Sequence, residues 1–121
     1  FSVEVIQMTK ANERETVRVD HANGGAGFLL KEGLLTNEQL GANCRMFSRV
    51  TLKPGCELGF HEHHGEIEAY YILTGHGIYL DDQKEVFVEA GDVTYCDDGH
   101  GHGLKNTGDE DLAFVALILK K

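Results

Sequence analysis

One stretch of this chain decides its fold, and it reads Gly55-Cys-Glu-Leu-Gly-Phe-His61-Glu-His63-His-Gly-Glu-Ile-Glu68-Ala-Tyr-Tyr-Ile-Leu-Thr-Gly75. Successive side chains of a β-strand point to opposite faces, so His61 and His63 project from one face if this run is extended. The region of Gly65 indicates a turn, after which Glu68 begins a second run rich in aromatic and β-branched residues. If the two runs pair as a hairpin, Glu68 returns to the face that carries the histidines.

A second stretch, from Gly91 to Asn106, places His102 in a similar strand-like setting. Only the fold can bring His102 to the first group, because the two stretches are far apart along the chain. Three imidazoles and one carboxylate suit a divalent transition metal, since imidazole binds Zn, Cu, Fe and Ni and a carboxylate also admits Mn. The residues therefore predict one such metal per chain and leave its identity open among Fe, Mn, Ni, Zn and Cu.

The first stretch resembles the first sequence motif of the cupin superfamily. That motif, G-x5-H-x-H-x4-E-x6-G, fits Gly55, His61, His63, Glu68 and Gly75 without a gap. Chance adjacency is the competing interpretation, because the chain has seven histidines. The joint match of glycines, histidines and glutamate favours the cupin interpretation.

The second stretch resembles the second cupin motif, G-x5-P-x-G-x2-H-x3-N. It fits Gly91, Gly99, His102 and Asn106, with Asp97 standing at the proline position. The departure falls in a turn and leaves the histidine of the motif intact. Asn106 is expected to have a structural role.

The resemblance implies an all-β fold, a small antiparallel β-barrel or jelly roll, formed by a single cupin domain over residues 1–121. In cupins with this ligand set, the resemblance further implies that the metal is held by His61, His63, Glu68 and His102. Cys56 and Cys96, which flank the motifs, are poorer ligand candidates because histidine and glutamate already fill the site.

Two residues are candidates for a catalytic role beside the metal. Tyr70 shares the strand parity of Glu68 and could hydrogen-bond a substrate, and His100 lies two residues from His102 and could share its face. Glu66 is interpreted as a solvated carboxylate near the turn. The residues expected to line an apolar pocket are Met46, Tyr70, Ile72 and Phe114.

Two classes of function remain open at this point. One is a metal-dependent enzyme acting on a small oxygenated metabolite, as an isomerase, lyase or dioxygenase-like cupin. The other is a non-catalytic cupin that binds or senses a small molecule. Sensing cupins usually carry an attached DNA-binding helical domain, and the absence of one from this sequence favours the enzyme.

Composition excludes several partners and suggests a compartment. The net charge of −9 argues against nucleic-acid binding, which requires clustered Lys and Arg. No apolar run is long enough to span a bilayer. The three cysteines resemble reduced thiols of a cytoplasmic protein more than a disulfide framework.

Three further segments carry structural expectations. The alternation in Phe1–Met8 predicts an edge strand, and Thr36 is expected to cap a short helix that ends at Leu40. The run Leu112–Leu119 is apolar on both faces, whereas a strand buried on one side should alternate. An apolar outer face would favour association, so a homodimer is expected.

Overall fold

The computed structural model describes residues 7–121, which form two antiparallel β-sheets packed around a common core. The larger sheet has the strand order β1-β2-β3-β10-β5-β8 and the smaller has the order β4-β9-β6-β7. The strands are β1 (Thr16–Asp20), β2 (Phe28–Gly33), β3 (Cys44–Leu52), β4 (Glu57–Glu62), β5 (Glu66–Thr74), β6 (His76–Asp81), β7 (Lys84–Glu89), β8 (Val93–Cys96), β9 (Gly101–Asn106) and β10 (Leu112–Lys120). The expected all-β jelly roll is confirmed.

Alternation of side chains along the strands creates the interior. On β5, Glu68, Tyr70 and Ile72 are buried while Tyr71 between them is half exposed. Burial of such side chains is the main favourable contribution to folding, because it removes apolar surface from water. The larger fully buried side chains come from both sheets and include Tyr70, Phe114, Leu52, Ile72, Leu104 and Leu112.

The two halves of the first motif do not pair as a hairpin, and that expectation is wrong. β4 pairs with β9 in the smaller sheet, whereas β5 pairs with β10 and β8 in the larger sheet. The bend at Gly65, whose φ is +77°, takes the chain from one sheet to the other. Glu68 therefore approaches the histidines across the interior and not along a shared sheet face.

The apolar run Leu112–Leu119 lies on β10, between β3 and β5. Its even-numbered side chains, such as Phe114 and Ala116, are buried in the core. On the opposite face Val115 and Leu117 are half-buried and Leu119 is exposed. Burial in the core thus accounts for one apolar face of β10. The other apolar face of β10 lies on the outside of the barrel.

Helices are few and short. The α-helix α1 spans Asn37–Leu40, and Thr36 caps it by accepting a hydrogen bond from the backbone N–H of Gln39, as expected. Two 3-10 turns cover Ala11–Glu13 and Ala22–Gly24. The edge strand expected over Phe1–Met8 falls mainly on residues 1–6, which lie outside the described residues, and positions 7 and 8 belong to no strand.

Two other sequence expectations can be compared with residues 7–121. All three cysteines, Cys44, Cys56 and Cys96, are free thiols. Within the same residues, every helix is too short or too polar to cross a membrane.

Candidate metal centre

The four side chains predicted to bind a metal lie together inside the barrel. His61 is on β4, His63 follows the end of that strand, Glu68 is on β5 and His102 is on β9. His61 and His102 are directly opposite each other in the β4–β9 ladder, so their side chains stand on one face. His63, Glu68 and His102 are buried, and His61 is partly exposed.

An irregularity in β4 directs His61 inward. The register of β4 with β9 shifts between Leu58 and His61, because one extra residue is accommodated there on β4. Strict alternation would place these two side chains on opposite faces, yet both line the same cavity. Such a bulge re-aims the side chains that follow it and is common beside active sites.

The donor atoms converge on one oxygen of the carboxylate. Glu68 Oε1 lies 2.8 Å from Nε2 of His63, 2.8 Å from Nε2 of His102 and 3.4 Å from Nε2 of His61. Nε2 of His63 and Nε2 of His102 are 3.1 Å apart. Neighbouring ligands of an octahedral ion with bonds of about 2.1 Å are about 3.0 Å apart, so these spacings suit one metal ion.

The opposite nitrogen of each imidazole is held by a separate partner. Nδ1 of His61 donates to the carbonyl of Gly59 at 2.8 Å, and Nδ1 of His63 donates to the carboxylate of Glu66 at 2.9 Å. Nδ1 of His102 lies 2.8 Å from the hydroxyl of Tyr79. A proton on Nδ1 leaves the neutral ring with a lone pair on Nε2, and metal-binding histidines are commonly oriented in this way.

The resulting arrangement calls for a cation. Lone pairs on the Nε2 atoms would face each other and the Glu68 oxygen at about hydrogen-bond distance, which is repulsive unless protons or a metal ion lie between them. The set of four donor groups could hold a metal ion. Three imidazoles with one carboxylate suit the divalent transition metals named above.

The protonation of Glu68 and His102 fits the same interpretation, whereas burial of His61 is outweighed by its hydrogen bonds to Glu68 and the Gly59 carbonyl, which raise the pKa of His61. Burial opposes ionisation of Glu68, but its close contacts with Nε2 of His102 and His61 outweigh burial and lower the pKa of this carboxyl to about 2, as a positive charge at the same place would. Burial lowers the pKa of His102 below its usual value, despite the hydrogen bond to Glu68. An ionised carboxylate and a neutral imidazole are the forms in which these groups bind metals.

Tyr70 lies against the cluster, as its parity with Glu68 predicts. Its hydroxyl is 3.2 Å from Oε1 of Glu68 and 3.3 Å from Nε2 of His102, and its ring stacks on His102 with centroids 4.8 Å apart. Burial raises the pKa of Tyr70 well above its usual value. The phenol therefore stays protonated and donates a hydrogen bond at the cluster.

His100 is not brought to the cluster. It precedes β9 in a turn, and its half-exposed ring donates from Nδ1 to Asp82 at 2.8 Å. The prediction that His100 shares a face with His102 is wrong, because side chains alternate only within a strand and β9 begins after His100.

Three residues of the cluster, His61, His63 and Glu68, line a cavity of about 350 Å³, whereas His102 is buried behind them. Three of the four expected lining residues, Met46, Tyr70 and Phe114, do line it, whereas Ile72 is packed in the core. Much of the cavity wall is apolar. The charged residues that line the cavity are Lys31, Arg45, Glu62, Glu66 and Glu68.

Glu66 is not the solvated carboxylate that the sequence suggested. Arg45 donates to both its oxygens, at 2.8 Å and 2.7 Å, and Glu66 in turn accepts from His63. The hydrogen bonds from Arg45 are the main reason that the pKa of Glu66 falls to about 2. Sequence reasoning missed Arg45 and Tyr79 as partners of the cluster, because cross-strand contacts of this kind have no signature in spacing.

Comparison with known proteins agrees with this architecture. Residues 48–118 match the cupin domain family. The chain belongs to the cupin family. This cupin is 39% identical to the oxalate-binding protein of Thermotoga maritima over 112 residues, which cover 93% of both chains.

Two solved structures resemble this cupin, one at high and one at low sequence identity. The crystal structure of a predicted oxalate decarboxylase from Thermotoga maritima has a TM-score of 0.91 at 38% identity, covering 95% of this chain and 100% of that one. KdgF from Halomonas has a TM-score of 0.77 at 13% identity, covering 97% of this chain and 96% of that one. The second likeness concerns the fold alone.

Both cupin motifs fall within the matched region, including the turn that departs from the second motif. Asp97 there accepts hydrogen bonds from the backbone N–H of Asp98 at 2.8 Å and from Lys121 at 3.0 Å. Its own carbonyl accepts from the N–H of His100, which closes the turn without a proline. Asn106 has the expected structural role, since its amide donates to the carbonyls of Leu52 and Glu110.

Proposed function

We propose that this cupin is a metal-dependent enzyme acting on a small oxygenated metabolite, of the isomerase, lyase or dioxygenase-like type, and that the metabolite is a small carboxylate such as oxalate. The observation that carries the proposal is the convergence of His61, His63, Glu68 and His102, the first three of which line an open cavity. The names of the two Thermotoga maritima proteins support a carboxylate ligand.

In this proposal, one divalent transition metal (Fe, Mn, Ni, Zn or Cu) is held by His61, His63, Glu68 and His102. When bound, such an ion supplies Lewis acidity toward carboxylate and carbonyl oxygens. A metal with these four protein ligands would serve the proposed reaction if it also accepted an oxygen ligand from the cavity, as catalytic metals do. This distinguishes the site from a closed structural site.

The residues of the chain have separate tasks in the proposed site. Glu66, the Gly59 carbonyl and Tyr79 hold the three imidazoles with Nε2 toward the cavity. Tyr70 keeps its proton and can donate a hydrogen bond to an oxygen of the ligand. The apolar wall excludes water from the ligand, which strengthens these electrostatic contacts.

A second candidate is binding without turnover, and the name of the oxalate-binding relative favours it. Metal-loaded protein should be titrated with oxalate by calorimetry and incubated with oxalate while formate and carbon dioxide are measured. Binding with turnover supports the enzyme, and binding without turnover of oxalate or other small carboxylates supports the second candidate. Absence of binding of any small carboxylate contradicts both.

The proposal also covers assembly, domain organisation and location. The outer face of the larger sheet exposes Tyr71, Val93 and Tyr95, which are neighbours across β5 and β8, and we assign this face to a homodimer. Residues 1–121 are proposed to form a single cupin domain. The free thiols support a cytoplasmic location.

A further inference from the structure

Lys31 lies on the interior side of β2. In the sheet register it is opposite Val50 of β3, whose side chain is buried in the core, and directly opposed residues point to the same face. Leu29, two residues before Lys31, is also buried in the core. Lys31 lines the same cavity as the metal cluster.

The ammonium group of Lys31 has no anionic partner among residues 7–121. Three Lys and Arg residues in this part of the chain are half-buried, namely Arg14, Lys31 and Lys53. Arg14 pairs with Glu32 at 2.7 Å and Lys53 pairs with Asp111 at 2.9 Å, whereas Lys31 forms neither an ion pair nor a hydrogen bond there. A partly buried charge that has no partner among these residues can pair with an anion bound in the cavity.

The charges around the cavity favour an anionic ligand despite the net charge of −9. Arg45 and Glu66 neutralise each other through their paired hydrogen bonds. A divalent ion carries twice the charge of Glu68, Lys31 adds a further positive charge, and Glu62 at the exposed rim adds one negative charge. The loaded cavity therefore has a net positive charge, which raises the local concentration of anions.

The position of Lys31 also sets the length of the ligand. Glu68 is level with Met46 of β3, because both lie opposite Ile118 of β10, whereas Lys31 is level with Val50. The four-residue separation from Met46 to Val50 corresponds to about 13 Å along the strand. A lysine side chain spans only part of that distance, which favours a ligand longer than a two-carbon dicarboxylate.

We infer that Lys31 is a specificity-determining residue that binds the distal anionic group of an extended ligand, whose oxygen-chelating end lies at the metal cluster. The ligand class is a dianion with several bonds between its two charged groups, such as a dicarboxylate longer than oxalate. The apolar side chains of Val50, Leu58 and Phe114 face the part of the ligand between its ends. This inference rests on the proposed function, because it takes the metal to bind the other end.

The test uses the full chain loaded with Mn²⁺ and two ligands that share one chelating end. 2-Hydroxyglutarate and 2-hydroxypentanoate have the same carbon chain and differ in the distal carboxylate. Calorimetry on the wild type should give at least about tenfold tighter binding of 2-hydroxyglutarate, as expected for one partly desolvated charge pair. Lys31→Met should reduce this ratio to near one, because it weakens the binding of 2-hydroxyglutarate far more than that of 2-hydroxypentanoate, which loses only the long-range attraction of the charge.

Lys84→Met is the matched control, because Lys84 is exposed on β7 and does not line the cavity. It removes the same charge and should preserve the tenfold ratio. Lys31→Met should also raise the Tm of the ligand-free protein, since a half-buried cation with no partner among residues 7–121 is replaced by an apolar chain.

Three results would overturn the inference. They are a wild-type ratio near one, a ratio that Lys31→Met leaves intact, and binding of oxalate without binding of either hydroxy acid. The last result leaves the proposed function standing. Failure of the wild type to bind Mn²⁺ or any other of the five metals overturns both.

Discussion

The carboxylate of Glu66 accepts a hydrogen bond from Nδ1 of His63 at 2.9 Å while Arg45 holds both of its oxygens. This relationship joins three strands or their ends, since Arg45 is on β3, Glu66 begins β5 and His63 follows β4. It fixes the ring so that Nε2 faces Glu68. The local structure around the cluster is thus specified by residues that do not contact the proposed metal.

Glu66→Gln and Arg45→Met should weaken metal binding without abolishing it. Loss of a partner that orients a metal-binding histidine typically costs about 10–100-fold in affinity. Competition with a metal-sensitive dye measures the effect. Glu62→Gln is the control, because Glu62 is exposed at the rim of the cavity, and equal affinities of all three variants would contradict the assigned role of Glu66.

Tyr70→Phe should separate metal binding from ligand binding. The variant keeps all four donor groups, so its metal stoichiometry should equal that of the wild type. It loses the hydroxyl at the cluster, and the affinity for oxalate should fall about three- to tenfold, as for one neutral hydrogen bond. Tyr95→Phe, at an exposed tyrosine of β8, should change neither quantity, and unchanged oxalate affinity in Tyr70→Phe would argue against a ligand contact.

Gly59→Ala should destabilise the protein by about 1–3 kcal/mol or more, as overpacking does. A Cβ at position 59 would collide with the backbone carbonyl of Asn23, in the 3-10 turn beside β4. Gly33→Ala is the matched control on β2, because its nearest neighbour, the carbonyl of Leu35, would be 3.9 Å away. Urea denaturation compares the two, and similar free energies of unfolding would contradict the close packing at Gly59.

Val93→Lys should weaken the proposed homodimer. Val93 is 68% exposed on the edge strand of the larger sheet, and a charge there would be desolvated in an interface. Sedimentation velocity should show a shift toward monomer, while Val17→Lys on β1, at the opposite edge of the sheet, should leave the dimer intact. A wild-type monomer, or a dimer unaffected by Val93→Lys, would contradict the assigned face.

The sequence was sufficient to predict the fold class and to group His61, His63, Glu68 and His102, because both motifs have fixed spacing and the four side chains do meet. The predicted hairpin between the histidines and Glu68 was wrong, because alternation along a chain cannot distinguish a hairpin from a chain that crosses between two sheets. Strict alternation of side chains along β4 likewise cannot predict that His61 points inward, because the register shifts between Leu58 and His61.

Other features depended on contacts between strands distant in sequence. Glu66 looked solvated because Arg45, its partner, lies on another strand and precedes it by twenty-one residues. The sequence did not single out Lys31, because its interior position follows from the register of β2 with β3. Such partners emerge only when the pairing of the strands is known.

The central claim is that one divalent metal is held by the four converging side chains, and elemental mass spectrometry of protein purified without chelator tests it most directly. The wild type should contain about one Fe, Mn, Ni, Zn or Cu per chain. His102→Ala and Glu68→Ala should lose it while circular dichroism shows that the β-barrel is retained. Stoichiometric metal in both variants, or a wild type that binds none of the five metals after reconstitution, would contradict the account.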